Sequence, residues 1–267
     1  DSSYYSRVGM LRRQDGRVLK PVFKPLLGKR EIAFYERLQA SEDPVMLQLK
    51  NYVPRYYGTT ELPIFGRLTF LTLKDITDGM AEPCVMDIKI GRRTWDPLAT
   101  PQKKATEELK YAESKRTYGF CITGFQVYCL SSGQLRKFGK HYGKTLDAKA
   151  LKMFLNISPE RPPCRHLIVQ LLSFLWKILL FFRIQRLFRF YSSSLLVAYD
   201  AKRLRHYIRL NNTRTDKEQN WVRINMIDFT HVFPADDRNT LDLNYLEGIE
   251  NLIKLVERFL VSKDNAA

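Results

Sequence analysis

The sequence has few cysteines and few histidines, and neither residue type is spaced as metal or redox sites require. Its four cysteines form no C-x-x-C pair, and none of its four histidines stands at the spacing of zinc ligands. These absences argue against a disulfide framework and against a zinc domain. They predict reduced cysteines in an intracellular protein, located in the nucleus, the cytoplasm or both. The cysteines are Cys84, Cys121, Cys129 and Cys164.

Long hydrophobic runs are also scarce. The most apolar stretch, residues 167–182, is LIVQLLSFLWKILLFF, and it contains Gln170 and Lys177. A membrane-spanning helix needs about 20 predominantly apolar residues, so this stretch is short of that length. We expect a buried or partly exposed helix and no transmembrane segment, while an interface with a partner or a membrane surface stays open. The N-terminal residues are polar and contain no apolar signal region.

Negative charge is underrepresented. The chain has 44 Lys and Arg residues against 28 Asp and Glu residues, a formal net charge of +16. This excess predicts an anionic partner, which could be nucleic acid, an acidic membrane surface or a phosphorylated small molecule. Its 267 residues suit one large domain or two small lobes with a substantial core.

The most informative stretch is residues 83–91, PCVMDIKIG. Asp87 and Lys89 are two residues apart, so on an extended strand both side chains point to the same side. The apolar residues around them would bury the rest of the strand, and Gly91 allows a turn or a close backbone approach. A carboxylate and an ammonium group before a basic run suit an anionic ligand. A structural salt bridge at a strand end explains the local pattern equally well.

The motif P-x-x-x-D-x-K-x-G in this stretch resembles the signature of the inositol polyphosphate kinase family. Three further segments resemble the same family in the same order: Val18-Leu19-Lys20 with Arg30-Glu31, residues 192–196 (SSSLL) and residues 227–231 (IDFTH). The resemblance implies an α+β, two-lobed kinase-like fold, related to the ATP-grasp and protein kinase folds, with antiparallel sheets and ATP between the lobes. It implies a smaller N-terminal lobe over residues 1–78 and a larger lobe over residues 79–267.

The resemblance also implies which residues bind Mg²⁺ and ATP. Lys20 and Glu31 resemble the strand lysine and helix glutamate that protein kinases place at the ATP phosphates. Residues 74–79 would form a hinge that holds adenine through the backbone, with Asp75 reaching adenine or ribose. Asp87 would bind the ribose hydroxyls, and Asp228 would hold Mg²⁺. The hinge residues expected at the nucleotide are Lys74, Asp75 and Ile76.

The substrate would bind along residues 89–116. Thr100-Pro101 predicts a helix start, with Thr100 as the N-cap and Pro101 in the first helical position. A basic helix face is usually solvated, but this helix directly follows the motif, which favours a phosphate-binding wall. Lys89 and Asp228 are the candidate catalytic residues, and no general base is assigned. The candidate substrate-binding residues are Lys89, Arg92, Arg93, Lys103, Lys104, Lys110 and His231.

Three functional interpretations follow. The short connection between Gly91 and Thr100 is similar to the compact multikinase branch of the family, which implies phosphorylation of inositol tris- and tetrakisphosphates and of phosphoinositide lipid head groups. A hexakisphosphate kinase that makes pyrophosphates is the alternative within the family. Outside it, a non-catalytic basic module could bind anionic lipid or nucleic acid. A protein kinase is disfavoured, because the sequence has no G-x-G-x-x-G loop and no H-R-D segment. We expect a monomer that requires no nucleic acid.

Overall fold

The computed structural model describes residues 9–64, 67–139, 147–210 and 221–261. A four-stranded antiparallel sheet comes first, with the strand order β1-β2-β4-β3. Its strands are β1 (Leu11–Arg12), β2 (Arg17–Pro21), β3 (Tyr56–Leu62) and β4 (Leu68–Lys74). Two helices, α1 (Pro25–Ala40) and α2 (Pro44–Leu49), connect β2 to β3. The sequence predicts α1 over residues 29–39. It begins earlier because Pro25 occupies the first turn, where the missing N–H costs no hydrogen bond.

The second sheet has five antiparallel strands in the order β10-β9-β5-β6-β7. Its strands are β5 (Pro83–Ile90), β6 (Phe120–Tyr128), β7 (Leu135–Phe138), β9 (Ser194–Asp200) and β10 (Val222–Ile227). The helices of this part are α3 (Pro101–Leu109), α4 (Ala112–Tyr118), α5 (Asp147–Phe154), α6 (Arg165–Ile184), α7 (Ala201–Arg209) and α8 (Leu243–Val261). The connector 75–82 joins the two sheets.

A short two-stranded antiparallel sheet begins between α6 and β9 in the chain. Strands β8 (Phe188–Phe190) and β11 (Val232–Pro234) form it. Local sequence patterns predict helix up to residue 190, which is wrong, because α6 ends at Ile184. Gln185 adopts an extended conformation, and its side chain hydrogen-bonds both the backbone N–H and the carbonyl of Phe188. A pairing with a strand more than forty residues away leaves no trace in the local pattern.

The central strand β5 has two different faces. Met86, Ile88 and Ile90 are buried, while Asp87 and Lys89 alternate with them and remain partly accessible. Met86 and Ile88 pack against apolar side chains of α5, α6 and α8. Because successive side chains point to opposite faces, Asp87 and Lys89 lie on the face away from these helices. This alternation is the one that the sequence predicts.

Helix α1 belongs to the core of both parts of the chain. The ring of Phe34 stacks on Phe229 at a centroid distance of 4.4 Å, and Tyr35 meets Phe229 edge-on at 5.4 Å. Both α1 rings belong to one continuous hydrophobic core that includes the buried residues of β5, α6 and α8. This packing holds α1, and the charged residues that it carries, against the segment that follows β10.

By length and composition, α6 could cross a membrane, and it is the one helix of the described residues that meets both criteria. Half of its apolar window is buried inside the protein. Leu167, Leu175 and Phe182 are at most 2% exposed, whereas Leu180 and Ile184 are 53% and 52% exposed. The helix is therefore partly buried and partly exposed, as the sequence predicts.

Candidate active site

Three charged side chains from separate elements meet beside the end of β10. Lys20 Nζ on β2 lies 2.9 Å from Glu31 Oε1 on α1 and 2.6 Å from Asp228 Oδ1. Glu31 is 2% exposed, and its Oε1 also accepts a hydrogen bond of 3.2 Å from the Phe229 N–H. Asp228 directly follows β10 and adopts a left-handed φ of 65°. The structure thus brings together the lysine–glutamate pair and the carboxylate that the sequence assigns to ATP and metal.

The electrostatics of this group keep Lys20 and Asp228 charged. Burial alone would lower the pKa of Lys20, but Asp228 and Glu31 raise it above its usual range. Burial alone would raise the pKa of Asp228, but Lys20, Lys89 and His231 together lower it, with Lys20 as the main contributor. At neutral pH, Lys20 is therefore a cation held between two carboxylates.

Asp87 lies on the wall of the same cavity as Asp228. Its Oδ1 is buried and finds no hydrogen-bond partner in the described parts of the chain. Burial raises the pKa of Asp87, and repulsion from Asp228 raises it further. A buried acceptor near a second carboxylate suits a ligand that donates hydrogen bonds or carries positive charge, such as a ribose hydroxyl or a cation.

Mg²⁺ is usually bound by one or two carboxylates together with substrate phosphates. The described residues contain no cluster of three or more His, Cys, Asp or Glu side chains that could hold a metal by themselves. Asp228 therefore fits a Mg²⁺ ion whose remaining ligands would be phosphate oxygens and water. It does not form a complete protein-only metal site.

A cavity of about 480 Å³ opens from these two carboxylates toward α3 and α4. Lys89, Lys110 and Lys115 all line it. Lys89 Nζ donates to the carbonyl oxygen of Ser192 at 2.9 Å and to its hydroxyl at 2.8 Å. Three ammonium groups around one cavity form a binding site suited to a small ligand with several phosphates.

Glu107 organises the basic wall of the cavity. Its Oε1 accepts from Lys103 Nζ at 2.8 Å and from Lys110 Nζ at 2.9 Å. Burial alone would raise the pKa of Glu107, but the hydrogen bonds from the two lysines lower it to about 2. Thr100 accepts from the Lys103 N–H and caps α3, as the sequence predicts.

Lys115 belongs to the basic run between residues 89 and 116, but it is not among the substrate-binding residues that the sequence predicts. It is 4% exposed and lines the cavity, and its Nζ donates to the Glu107 carbonyl oxygen. Burial lowers the pKa of Lys115. Its place in the basic run was a signal, but the spacing could not show that it turns inward.

Of the seven predicted substrate-binding residues, only Lys89 and Lys110 line this cavity, and five lie outside its lining: Arg92, Arg93, Lys103, Lys104 and His231. Arg92 forms a two-pronged ion pair with Glu247 of α8, with contacts of 2.9 and 2.6 Å. The Arg93 guanidinium stacks 3.6 Å from the ring centroid of Trp95, and Lys104 Nζ lies 4.6 Å from the same centroid. Their substrate contacts stay predictions.

His231 is held by a buried carboxylate. Its Nδ1 lies 2.5 Å from Oδ2 of Asp96, which is 5% exposed. The same oxygen lies 3.7 Å from Nη1 of Arg30 on α1. Asp96 thus fixes the ring of His231 three residues after Asp228. No sequence pattern marks Asp96 as a site residue.

The hinge side chains are hydrogen-bonded within the protein. Both Asp75 oxygens are used: Oδ1 accepts from the Thr77 N–H at 2.8 Å, and Oδ2 accepts from Arg12 Nε at 2.9 Å. Lys74 Nζ lies 2.5 Å from Asp78 Oδ2, and Ile76 is buried. An adenine contact through the Asp75 side chain would have to displace one of these partners.

Comparison with known proteins identifies the family. The family model described as inositol polyphosphate kinase matches residues 70–257. The inositol polyphosphate multikinase of Mus musculus is 35% identical over 199 residues, which cover 73% of this chain and 50% of the relative. The Arabidopsis thaliana multikinase beta is 27% identical over 281 residues, covering 96% of this chain and 89% of the relative. Human inositol hexakisphosphate kinase 2 is 30% identical over 216 residues, covering 70% of this chain and 50% of the relative.

Solved structures agree with these matches. A crystal structure of the S. cerevisiae inositol phosphate multikinase Ipk2 in complex with ADP and Mn²⁺ has a TM-score of 0.70 at 22% identity, covering 91% of this chain and 99% of that one. At this identity the similarity shows the fold, and it confirms the predicted two-lobed kinase-like α+β architecture. The chain spans about half the length of the mammalian multikinase that it matches. It belongs to the inositol polyphosphate kinase family.

Proposed function

We propose that this protein transfers the γ-phosphoryl group of ATP to a hydroxyl group of an inositol tris- or tetrakisphosphate. The proposal rests on the location of Asp228 between two groups of charged side chains. It pairs with Lys20 at 2.6 Å on one side, and on the other it lines the cavity that contains Lys89, Lys110 and Lys115. A metal ligand between an ATP-binding lysine and a polyanion pocket is the arrangement that phosphoryl transfer needs.

Separate groups of residues would bind ATP and the inositol phosphate. Lys20, held by Glu31, would bind ATP phosphates, and Asp87 would accept hydrogen bonds from the ribose hydroxyls. Asp228 would hold Mg²⁺, and bound Mg²⁺ supplies positive charge to the phosphates during transfer. Phosphoryl transfer depends mostly on positioning and charge neutralisation, which these side chains provide without a strong base.

The cavity favours a compact polyphosphate over a long polymer. Its volume of about 480 Å³ lies within the usual range of small-molecule pockets. Lys89 extends from β5 next to Asp87, so it would contact the phosphate nearest the reacting hydroxyl. Lys110, at the end of α3, and Lys115, on α4, line the same cavity and would bind the remaining phosphates.

Several finer statements belong to the same proposal. Relatives named inositol polyphosphate multikinases support inositol polyphosphates as substrates, and the cavity chemistry extends to phosphoinositide head groups, which carry the same phosphorylated ring. We also propose that the protein is an intracellular monomer, in the nucleus, the cytoplasm or both. A hexakisphosphate kinase among the relatives keeps pyrophosphate formation as the second candidate function.

The test is a Mg²⁺-ATP turnover assay on inositol phosphates with three to six phosphates and on soluble short-chain phosphoinositides, with products separated by chromatography. We expect turnover of tris- and tetrakisphosphates, and its loss in Asp228→Asn. Asp237→Asn, an exposed change on the loop before α8, serves as the matched control. Turnover of the hexakisphosphate alone would replace the proposal by the pyrophosphate-forming activity. Binding of lipid or nucleic acid without any turnover would refute kinase activity.

A further inference from the structure

One face of α6 exposes a row of apolar side chains to solvent. Val169, Trp176, Leu180 and Ile184 are 46%, 38%, 53% and 52% exposed. At 100° per residue, the four side chains fall within about 80° of the helix circumference, and the row is about 22 Å long. We call these four residues the α6 stripe. An apolar row of this kind on a soluble surface marks an interaction site.

Basic side chains flank the α6 stripe on both sides. On the same helical projection, Arg165 and Arg183 lie next to one edge of the stripe and Lys177 lies next to the other. All three are exposed, and α6 contains no Asp or Glu. Arg183 shares one contact of 3.1 Å with Glu250 of α8, but both side chains of this pair remain more than a third exposed. The surface around the stripe is therefore cationic.

The apolar stripe and its basic flanks together indicate the chemistry of the partner. A symmetric dimer through the stripe would place Arg183 and Lys177 of the two copies close together, where like charges repel. Insertion of α6 across a bilayer would require the buried side chains of its other face, such as Leu167 and Phe182, to leave the core. A surface that accepts apolar side chains and also carries negative charge satisfies both features, and an anionic bilayer is such a surface.

We propose that the α6 stripe docks the folded protein onto a bilayer surface that contains anionic lipids. The helix axis lies parallel to the membrane plane, the apolar side chains enter the interfacial region, and the flanking cations meet the lipid head groups. Trp176 suits this depth, because an indole ring carries both an apolar body and a polar N–H. The interaction combines apolar burial with charge attraction, so it weakens with salt but does not depend on charge alone.

Docking also determines which way the candidate active site faces. Helix α6 packs on the face of the five-stranded sheet formed by Met86 and Ile88, whereas Asp87 and Lys89 point to the opposite face. The sheet therefore lies between the bilayer and the cavity. A docked molecule would keep its cavity open to soluble polyphosphates, so phosphoinositide head groups of the same bilayer could be substrates only for an undocked molecule.

The experiment measures binding of the whole chain to vesicles of phosphatidylcholine, with and without phosphatidylserine, by co-sedimentation. A second readout is quenching of tryptophan fluorescence by brominated phosphatidylcholine, compared with a Trp176→Phe variant. Leu180→Gln with Ile184→Gln tests the stripe. Leu26→Gln, which changes a 78% exposed leucine on α1, is the matched control. Circular dichroism verifies that each variant is folded.

We expect the wild-type chain and Leu26→Gln to bind phosphatidylserine vesicles at least tenfold more tightly than the double variant. Lys177→Gln should weaken binding and reduce its salt dependence, and bromine quenching should disappear in Trp176→Phe. Equal binding of the double variant and the wild type would overturn the proposal. Binding that resists both salt and alkaline carbonate washing would indicate insertion across the bilayer. A wild-type dimer that the double variant dissociates, without vesicle binding, would assign the stripe to a second copy. Either result would overturn docking.

Discussion

Replacement of Glu31 by glutamine tests the charged centre of the site most directly. Glutamine keeps the volume and one acceptor oxygen, so the Phe229 N–H can still be satisfied, and only the negative charge is lost. Lys20 would then depend on Asp228 alone, at 2.6 Å. The variant therefore separates the charge of Glu31 from its packing.

The structure sets the size of the effect. Removing one partner of a buried ion pair costs about 3–5 kcal/mol, because the other charge is left without compensation. The Glu31 side chain is 3% exposed, but Lys20 is 25% exposed and keeps Asp228. We therefore expect a smaller loss in the free energy of unfolding, about 2–4 kcal/mol. For a chain of this length, this corresponds to a fall in melting temperature of roughly 5–15 °C.

The assay is urea unfolding at neutral pH, followed by circular dichroism, together with steady-state kinetics in Mg²⁺-ATP. Glu61→Gln is the control: its partner is Arg67, and the two side chains are 48% and 79% exposed. An exposed pair contributes about 0–1 kcal/mol, so the control should lose little stability. Because Lys20 would be less well positioned, kcat/KM for ATP should fall at least about tenfold in Glu31→Gln.

Two results would refute this reasoning. If Glu31→Gln loses no more stability than Glu61→Gln, the Lys20–Glu31 pair behaves as a solvated surface pair despite its burial. If Glu31→Gln loses the expected stability but keeps its ATP kinetics, the pair is structural and does not position nucleotide phosphates.

Three other predictions concern the same molecule. Because burial and a neighbouring carboxylate raise the pKa of Asp87, its ionised form costs stability at neutral pH. Asp87→Asn should then stabilise the fold by about 0.5–2 kcal/mol at pH 7 and should lower turnover. The gain in stability should shrink as the pH falls through the raised pKa, which thermal unfolding across pH measures. A loss of stability at pH 7 would contradict this prediction. Asp96→Asn should lower kcat at least about tenfold with KM for ATP unchanged, because His231 loses its carboxylate partner; unchanged kcat would show that this contact is dispensable. Gly248→Ala should destabilise by about 1–3 kcal/mol, since its Cβ would lie 2.5 Å from a backbone carbonyl oxygen. Gly139→Ala, whose new Cβ would meet no atom of the described residues within 4 Å beyond its chain neighbours, should change the urea midpoint little, and equal effects of the two changes would contradict the packing argument.

Local patterns predict local structure well in this chain. The alternation along β5 places Asp87 and Lys89 on one face because strand geometry repeats every two residues. The Thr100-Pro101 start of α3 is equally short-range, since the Thr100 hydroxyl caps a backbone N–H three residues later. Such features depend only on neighbouring residues, so the sequence alone was sufficient to predict them.

Local patterns could not predict features that depend on pairing between distant parts of the chain. The helix expected up to residue 190 ends at Ile184 because Phe188–Phe190 pairs with Val232–Pro234, far along the chain. No local pattern indicates a role for Asp96, because only the folded chain brings it within 2.5 Å of His231.

The chemical inventory follows from the sequence alone: an excess of cations, one carboxylate within an apolar strand and one directly after another, and a motif order that resembles one family. Which cations surround the cavity depends on the folded chain. Lys115 turns inward and lines it, whereas Arg92 pairs with Glu247 on the last helix. Both residues belong to one basic run, so spacing could not distinguish them. The difference depends on side-chain direction and on an acidic partner more than 150 residues away, and both are set only when the chain folds.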